Sequence, residues 1–595
     1  MGFLFHLFSA RLLESLSENT IVTDHDHSKH TDPSPLATPV TNRRVWWMGA
    51  LVAACGLFVL FYEIGSYRTL TKHESFVAVV SRGMLTSGDW MVPRFANLPR
   101  LKKPPLAYWT AAASSAVLGT HAEWTVRLPS VLAALMLAGL LGYWATCWYG
   151  RTAGIATALV QLTTISTIDF GRKAEVDMQL CLLTTTALFL VGTYRPSESR
   201  VRSFWRWAGV LSLVGLSWLA KFHYGPAMIL SVCGVWFVAQ RWWRSFWNLL
   251  NPLGLIVVLA AVLVWPYLVL RQIPNAWEIW QAETVGRAIG QLGRQPIWYY
   301  LPRVFALMLP WSLLMPLMWR RSVDRLRGGD ERERFLWIWF GVQFAILTAS
   351  AFKHHHYLMA ALPSVSMTLG RTLAEVACEM RSGQRRFSRS WLIGNAIAGG
   401  SVTVIGVLIV NRKWPHLVGP TAFALASISI GILAASLFLN RQRWRAGVVS
   451  AALGFGGAYI LVMGWIFPSR DGRLADVKFA SELAVKPLPA PIHVFDLKEH
   501  PVVYYLPDPV TRVEEPHRLS EELQLAGRLL VVTAESRADK LSEFGECQLV
   551  RHARHADDLI PSKDEPLALF ELKRFPDAKA LKPPAIAEEP PVNPY

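Results

Sequence analysis

The chain has 595 residues, of which 52% are hydrophobic and 26 are tryptophan, and its formal net charge is +17. So high an apolar fraction excludes an ordinary soluble protein of this length and indicates insertion into a membrane. The basic residues lie between apolar runs rather than in one domain. We therefore exclude nucleic acid as a partner and attribute the charge to the Lys and Arg that cytosolic loops of membrane proteins collect.

The chain begins with a mostly polar segment, residues 1–45, which predicts a disordered cytosolic tail. Its DHDHSKH stretch (24–30) has no second ligand group at a fixed distance, which favours a solvated tail over a metal site. The first long apolar run begins near Trp46 and predicts a signal anchor. The scattered cysteines predict no disulfide framework.

The apolar runs predict a mainly α, polytopic membrane protein with about 13 transmembrane helices, because a span needs roughly 20 apolar residues. With a cytosolic N-terminus, the inner loops carry 21 arginines and the outer loops nine basic residues, which sets the orientation. The runs are 46–66, 128–148, 153–168, 177–194, 207–220, 225–240, 253–270, 300–318, 335–351, 357–370, 391–410, 420–440 and 446–467.

Two pieces outside the transmembrane domain (46–467) then face outward. The first is the loop 67–127, where the segment from Glu74 to Met84 has the spacing of a short surface helix. The second is a small extracytoplasmic α/β domain over 468–581. Its predicted strands are PIHVFDL, PVVYYL, RLLVVTA and LALFELK, and its predicted helices are FASELAV and SEELQLAG. A Pro-rich disordered tail is expected over 582–595.

Ionisable residues lie near the predicted outer ends of the spans. Each would cost roughly 2.5–3.5 kcal/mol at a helix centre, so their placement on one side predicts a shared cavity at the outer membrane surface. The cations suit a lipid-linked phosphate, and a carboxylate there suits a general base or a metal ligand. The residues are Glu63, His73, Glu74, Lys102, Lys103, Arg172, Lys173, Glu175, Asp177, Lys221, His223, Glu283, Arg287, Arg294, Lys353, His354, His355 and His356.

Each of these residues also has a purely structural interpretation. Arg172 with Glu175, or Lys173 with Asp177, could form ion pairs between helix neighbours. The lysines at 102 and 103 could anchor the chain at the interface, and the three histidines could form a solvated turn. The cluster as a whole favours a site.

Six ordered segments resemble the lipid A aminoarabinose transferases and protein O-mannosyltransferases, which are integral-membrane glycosyltransferases of the GT-C class. The resemblance covers roughly residues 45–370. The segments are HESFVA (73–78) with SRGMLTSGDWMVPRF (81–95), LPRLKKPPLAYW (98–109), GRKAEVDMQL (171–180), WLAK ending at Lys221, RQPIWYYLP (294–302) with PW at 310–311, and KHHHYLMAALP (353–363).

The resemblance implies an inverting enzyme that takes a sugar from a polyprenyl-phosphate donor in a bacterial cell inner membrane. The acceptor would be a lipid, a glycan or a protein at the outer face. It implies that Glu74, His73 and Asp177 are catalytic and that Lys103, Lys221, Lys353, Tyr357 and Arg172 bind the carrier phosphate. It further implies that Arg294, Tyr299, His355 and His356 line the substrate cavity.

The chain departs from this family at three positions. His73 stands where the family usually has an Asp, so Glu74 or His73 itself would serve as base, or the enzyme would be weakened. Lys102 and Gly293 stand where relatives have zinc ligands, and neither side chain can ligate zinc. We predict that the zinc site is absent. The sequence identifies no definite cofactor, and a divalent metal at Glu74 and Asp177 is the alternative.

Two other functions fit a cationic outer cavity. A lipid-linked sugar flippase or transporter would need one too, although transporters tend to bind near the bilayer midplane and in paired repeats. A catalytically impaired homologue would fit the His73 departure.

Overall fold

The structure, a computed structural model, describes residues 42–286, 293–382, 389–441, 443–471, 474–485, 488–497, 500–507, 509–553 and 565–575. The predicted N-terminal tail up to residue 41, including the 24–30 segment, lies outside the described residues. So do Arg287 and the predicted tail 582–595.

Helices follow one another through the described residues from 42 to 471, because a buried apolar backbone satisfies its N–H and C=O groups within a helix. Those up to residue 272 are α1 (Asn42–Phe61), α2 (Lys72–Ser87), α3 (Leu106–Leu118), α4 (Glu123–Tyr149), α5 (Arg151–Thr163), α6 (Ile165–Gly171), α7 (Asp177–Gly192), α8 (Arg200–Lys221), α9 (Tyr224–Ala239) and α10 (Pro252–Gln272).

The helical part continues with α11 (Ala276–Gln281), α12 (Leu301–Leu307), α13 (Met315–Arg327), α14 (Glu331–Ala349), α15 (Leu362–Arg381), α16 (Arg389–Lys413), α17 (Val418–Asn440), α18 (Trp444–Leu461) and α19 (Phe467–Asp471). In the C-terminal region the helices are α20 (Ala475–Ala484), α21 (Pro516–Ala526) and α22 (Ala538–Ser542).

Membrane insertion is supported by helix length and composition. In the described part of the chain, four helical segments are long and apolar enough to cross a membrane: Glu123–Tyr149, Pro252–Gln272, Pro415–Asn440 and Ala446–Asp471. Two bent pairs raise the number to six if each is one span, namely α5 with α6 (58°) and Ile297–Leu307 with Trp311–Arg327 (102°). Every predicted apolar run coincides with helical structure, although the count of about 13 spans stays a prediction.

Small residues let some helices approach closely. At Gly370 in α15, an added Cβ would lie 2.6 Å from the Cα atom of Thr157 in α5.

At the opposite end of α15 from the histidine run, a network of ion pairs joins α13, α14 and α15. In it Arg371 contacts Asp330 at 2.6 Å, and the fully buried Glu333 accepts from Arg325 at 3.2 Å.

The outer loop is more structured than the sequence predicted. The expected surface helix is present as α2, but much of its surface is buried, and a second helix, α3, follows it. Between them lies a short antiparallel pair, β1 (Arg94–Phe95) and β2 (Leu98–Pro99).

The C-terminal region contains a mixed sheet, as expected for an α/β region. Its described strands are β3 (Ile492–Phe495), β4 (Val510–Val513), β5 (Arg528–Ala534), β6 (Glu546–His552) and β7 (Leu567–Lys573), in the spatial order β4-β3-β5-β7-β6. The β3 strand pairs in parallel with both neighbours, while β7 is antiparallel to β5 and β6.

The prediction of a strand at PVVYYL was wrong. Residues Pro501–Tyr504 form a 3₁₀ helix instead, and the side chain of His500 accepts a hydrogen bond from the Val502 N–H. Proline in the first turn suits a helix start, because its missing N–H would have no partner there. Strands β4 and β6 were not predicted from the sequence.

The sheet shares an apolar core with the outer loop. Phe76 and Val80 of α2, Tyr108 of α3, and Val494 and Val532 of the sheet belong to one cluster of buried side chains. Polar contacts reinforce this junction. The Tyr505 hydroxyl accepts a hydrogen bond from the Leu70 N–H and donates one to Glu123, both at 2.7 Å. The α/β region is therefore packed directly on the outer loop.

Replacing Tyr505 with Phe should loosen this junction, because the Leu70 N–H loses its acceptor and the Glu123 Oε1 loses its donor, while the other Glu123 oxygen keeps its contact with Arg127. An unsatisfied group of this kind costs roughly 1–3 kcal/mol. Limited proteolysis of the purified protein should release the C-terminal region faster from Tyr505→Phe than from wild type.

The matched control is Tyr504→Phe. The Tyr504 hydroxyl makes no hydrogen bond with the residues that the structure describes. Equal digestion of the two variants would contradict the proposed role of the Tyr505 hydroxyl.

Candidate active site

The start of α2 is fixed by a capping box. The Thr71 side chain accepts from the Glu74 N–H, while the Glu74 carboxylate accepts from the Thr71 N–H at 2.9 Å. Two orphan N–H groups of the first turn are thus satisfied reciprocally. The cap places the exposed His73 and the fully buried Glu74 on different sides of the helix.

Glu74 lies at the centre of a buried polar cluster rather than in an open cavity. Its Oε1 accepts from the Arg127 Nε at 2.9 Å and from the Ala174 N–H at 3.2 Å, and both charged side chains are fully buried. Arg68 lies 3.7 Å from Oε2. Burial favours the neutral carboxyl, but Arg127 and Arg68 outweigh it and hold the pKa of Glu74 below its ordinary value.

Arg172, predicted to bind the carrier phosphate, is also fully buried. Its guanidinium donates to the carbonyls of Val59 and Tyr62 and to the Tyr459 hydroxyl, at 2.8, 2.6 and 2.7 Å. It lies over the Tyr67 ring, 4.4 Å from its centroid. Arg172 therefore joins α1, α18 and the turn after α6, and the structure does not bring it into the pocket described next.

A pocket opens where α2, the 100–105 loop and the start of α7 meet. About 310 Å³ of space between its lining side chains is free of protein atoms, and part of that space is open to solvent. Two cations, a histidine and a carboxylate share its wall with apolar side chains. Its lining residues are His73, Phe76, Val77, Arg100, Lys103, Pro104, Ala107, Tyr108, Glu175, Val176 and Ala220.

Lys103 is the cation best placed to receive an anion in this pocket. It is half-buried, and among the described residues no carboxylate lies within ion-pair distance of its ammonium. Asp177, Lys221, Glu175 and Arg100 are near enough to influence it electrostatically. Burial lowers the pKa of Lys103 below its ordinary value, and Asp177 opposes that shift.

The Arg100 side chain is held by more contacts than that of Lys103. Its guanidinium lies 3.8 Å from the centroid of the Phe76 ring and donates to the Tyr108 hydroxyl at 2.9 Å. Only 5% of the residue is exposed. Sequence reasoning missed Arg100, although it stands in the LPRLKKPPLAYW segment that carried the family resemblance.

Asp177 and Lys221 form a close ion pair beside the pocket. The Lys221 Nζ lies 2.7 Å from the Asp177 Oδ1. The ammonium also faces the ring of Tyr357, 4.3 Å from its centroid. The second oxygen of Asp177 is buried and has no hydrogen-bond partner among the described residues. This cluster brings together three of the predicted site residues.

Glu175 was predicted to lie in the outer cavity, but without a catalytic or binding role. It lines the pocket together with His73 and Lys103, and 7% of it is exposed. Burial raises the pKa of Glu175 to about 7, with the Asp177 charge adding to the shift and Lys103 opposing it. The helix-neighbour pair suggested for it does not form, since Arg172 donates elsewhere and Lys173 pairs with Asp169 at 2.6 Å.

His73 is poorly suited to accept a proton. Its surroundings lower its pKa to about 4, first by burial of part of the ring and then through the Lys103 cation. The imidazole is therefore neutral near pH 7 and weakly basic. It packs edge-on against Phe76, with ring centroids 5.7 Å apart.

The remaining predicted residues lie apart from the pocket lining. The Lys353 ammonium donates to the carbonyls of Gln295 and Ser350, so it ties two loops together. Arg294 is exposed, and Tyr299 lies under the Arg303 guanidinium. The histidines at 355 and 356 pack on Phe170, with centroids 5.7 and 6.0 Å away.

The described residues around Glu74 and Asp177 do not fit a metal centre. Glu74 is saturated by N–H and guanidinium donors, and Asp177 is bonded to an ammonium. At the two zinc-ligand positions of relatives, Lys102 is exposed and Gly293 has no side chain. No group of three or more His, Cys, Asp or Glu in the described ranges is arranged to hold a metal ion. The absence of the zinc site stays a prediction.

Comparison with known proteins agrees with this architecture. Residues 102–265, which contain Lys103, Glu175, Asp177 and Lys221, match the family described as dolichyl-phosphate-mannose-protein mannosyltransferase. The crystal structure of ArnT from Cupriavidus metallidurans bound to undecaprenyl phosphate superposes with a TM-score of 0.73 at 22% identity, covering 89% of this chain and 98% of that one. The chain has the GT-C fold.

Sequence relatives extend the likeness. The undecaprenyl phosphate-alpha-4-amino-4-deoxy-L-arabinose arabinosyl transferase of Erwinia tasmaniensis is 27% identical over 395 residues, 64% of this chain and 69% of the relative. A transferase of the same description from Pseudomonas fluorescens is 25% identical over 418 residues, 68% and 74% of the two chains. The predicted resemblance to GT-C aminoarabinose transferases is confirmed.

Replacing Glu74 with Gln should destabilise this GT-C protein, because Arg127 would stay buried without its counter-charge. Breaking a buried pair typically costs about 3–5 kcal/mol. The carboxylate's lowered pKa adds stability above its ordinary pKa of 4.5, and that stability should be lost as the pH falls through the folded-state value. Thermal unfolding followed by tryptophan fluorescence checks both effects.

Glu331→Gln is the control, since Arg195 lies 3.6 Å away with both side chains more than 40% exposed, and the new amide oxygen can still accept from Gln240. A Glu74→Gln protein that unfolds at the wild-type temperature would contradict the structural role given to Glu74.

Proposed function

We propose that this chain is an integral-membrane glycosyltransferase that moves a sugar from a polyprenyl-phosphate donor to an acceptor at the outer face of the bacterial inner membrane. The observation that supports the proposal is the position of Lys103 in the pocket wall. The Asp177–Lys221 pair is near enough to influence Lys103, but no carboxylate of the described residues lies within ion-pair distance of its ammonium. The enzyme class agrees with the names of the relatives, which are undecaprenyl-phosphate aminoarabinose transferases.

Lys103 is the group that meets the donor phosphate. An ammonium with no ion pair among the described residues can bind an anion without first breaking an interaction. Its lowered pKa reflects the cost of burying a charge there, and a phosphate removes that cost. As the sugar leaves, negative charge grows on the carrier phosphate, and a cation already in place stabilises it. Arg100 adds a second positive charge on the same wall.

The Asp177–Lys221 pair orients the other groups of the reaction. Lys221 is fixed by Asp177 and by the faces of Tyr357 and Tyr224. The free oxygen of Asp177 is an acceptor for a sugar or acceptor hydroxyl. Lys353, Arg172 and Glu74 keep the surrounding loops in position.

The finer topology follows the distribution of charge. The basic inner loops put the N-terminus in the cytosol. With about 13 spans, the outer loop, the pocket and the C-terminal α/β region then lie on the periplasmic side. The α/β region packs on α2 through Arg82, which donates to the carbonyls of Val503 and Tyr504. It thereby covers the helix that forms one wall of the pocket.

Lys103→Ala should weaken binding of undecaprenyl phosphate at least tenfold and reduce sugar transfer further, because both the ground-state and the leaving phosphate lose their cation. Binding of radiolabelled undecaprenyl phosphate to the protein in nanodiscs measures the first effect. Lys102→Ala is the matched control, since Lys102 is exposed and does not line the pocket. Equal binding by both variants would refute the assignment of Lys103.

The orientation can be tested by fusing a periplasm-dependent reporter to the chain. Alkaline phosphatase joined after residue 575 should be active, and the same enzyme joined in the loop after α13 should be inactive, because alkaline phosphatase matures only outside the cytosol. The reverse pattern would overturn the topology.

Transport of the lipid-linked sugar is the competing function. Product formation without movement of the carrier across liposomes distinguishes the transferase from a flippase, and absence of turnover would indicate an impaired homologue.

A further inference from the structure

The Glu175 carboxylate faces the pocket without a partner. It belongs to the pocket wall with His73 and Lys103, and 7% of the residue is exposed. Among the described residues, no hydrogen bond or ion pair within 4 Å uses its side chain. A carboxylate so placed is available to a bound molecule.

The other proton acceptors near the pocket are less suited to act as a base on a bound molecule. Both oxygens of Glu74 accept from buried donors. One oxygen of Asp177 is paired with Lys221 at 2.7 Å, and the other has no partner among the described residues, but Asp177 lies outside the pocket lining. His73 is too weak a base, because its pKa is lowered to about 4 by burial and by Lys103. Glu175 is the candidate that remains.

The turn that carries Glu175 is held from three directions. The carbonyl of Glu175 accepts from the Ser130 hydroxyl at 2.9 Å, and the Ala174 N–H donates to Glu74. Arg172, at the start of the turn, is anchored by two carbonyls and a tyrosine hydroxyl. A reactive group needs such support to keep a productive geometry.

We propose that Glu175 is the general base that takes the proton from the acceptor, and that the acceptor group is therefore a hydroxyl rather than a phosphate. The inference rests on the proposed glycosyltransferase function. A hydroxyl must lose its proton as it attacks, whereas a phosphate oxygen is already ionised near neutral pH. A phosphate acceptor would also bring a second anion against Glu175 while the donor phosphate takes Lys103.

The charges around Glu175 suit this role. The titratable and charged groups around Glu175 come from three segments. They are His73 and Glu74 from α2, Arg100 and Lys103 from the adjoining loop, and Lys173 and Asp177 from its own segment, with Lys221 bound to Asp177. Their balance, together with burial, gives Glu175 a pKa of about 7. A general base works best when its pKa lies near the working pH.

The step balances without a further reactant. The acceptor oxygen forms a bond to the anomeric carbon while its proton passes to the Glu175 carboxylate. The bond between the anomeric carbon and the donor phosphate oxygen breaks, and the electron pair leaves with the polyprenyl phosphate beside Lys103. The proton on Glu175 then returns to solvent or to the departing phosphate.

The test uses the full-length protein in proteoliposomes with two labelled donors, undecaprenyl-phosphate-linked aminoarabinose and undecaprenyl-phosphate-linked glucose. The acceptors are lipid A, its dephosphorylated form, which offers only hydroxyls, and water. Wild type should transfer sugar to dephosphorylated lipid A or release it to water. Glu175→Gln should lower that rate at least 100-fold, within the usual contribution of a general base, while binding undecaprenyl phosphate like wild type.

Two further variants keep the result interpretable. Glu175→Asp retains a carboxylate and should keep more activity than Glu175→Gln. Glu198→Gln alters a largely buried carboxylate that is paired with Arg206 at 3.0 Å and lies outside the pocket lining, and it should leave the rate unchanged.

Transfer to lipid A but not to its dephosphorylated form would overturn the assignment of a hydroxyl acceptor. A Glu175→Gln rate within threefold of wild type would overturn the assignment of the base, and the proposed function would stand. Two other outcomes would count against the inference. One is that wild type shows no turnover with either donor, and the other is that Glu175→Gln loses activity only because it also loses carrier binding. The first of these would count against the enzyme itself as well.

Discussion

The buried ion pair between Glu74 and Arg127 joins the segments on which the candidate site depends. Arg127 belongs to α4 and donates to the carbonyls of Ile64 and Arg68, so it fixes the chain between α1 and α2. Glu74 belongs to α2 and accepts from the turn before α7. Two opposite charges taken out of water must satisfy each other and their remaining donors. This requirement holds α2, α4 and the Glu175 turn in one arrangement.

Two buried arginines and two lysines have different roles around this arrangement. Arg127 and Arg172 are fully buried, and each donates to several backbone carbonyls, which the five donors of a guanidinium make possible. The lysines at 103 and 221 stand at or beside the pocket, where a compact charge can meet a phosphate. The cations that organise the protein are thus distinct from those that face the proposed substrate.

The C-terminal sheet belongs to the same assembly as the outer loop. It buries apolar residues against α2 and α3, and Tyr505 connects it to Leu70 and Glu123. Glu123 in turn contacts Arg127 at 3.1 Å. Through this chain of contacts the sheet supports the central ion pair, and a change in its position would act on the wall of the pocket. The fold is shared with ArnT at 22% identity, but a fold hosts many functions. The chemistry depends on the groups that line the pocket.

The sequence alone determined the class of the protein: apolar runs predicted the helices, charge asymmetry predicted an outer cavity, and ordered segments identified the GT-C resemblance. It also predicted that Lys103, Asp177 and Lys221 share a site, because each lies in an outer loop or at the outer end of an apolar run. Only the tertiary structure decided which charges are available. The sequence made Glu74 and Arg172 candidates for catalysis and phosphate binding. In the structure both are buried: Glu74 accepts from Arg127 and the Ala174 N–H, and Arg172 donates to groups in α1 and α18. The sequence suggested an ion pair between Glu175 and Arg172. In the structure Arg172 donates to α1 and α18 instead, and Glu175 lines the pocket.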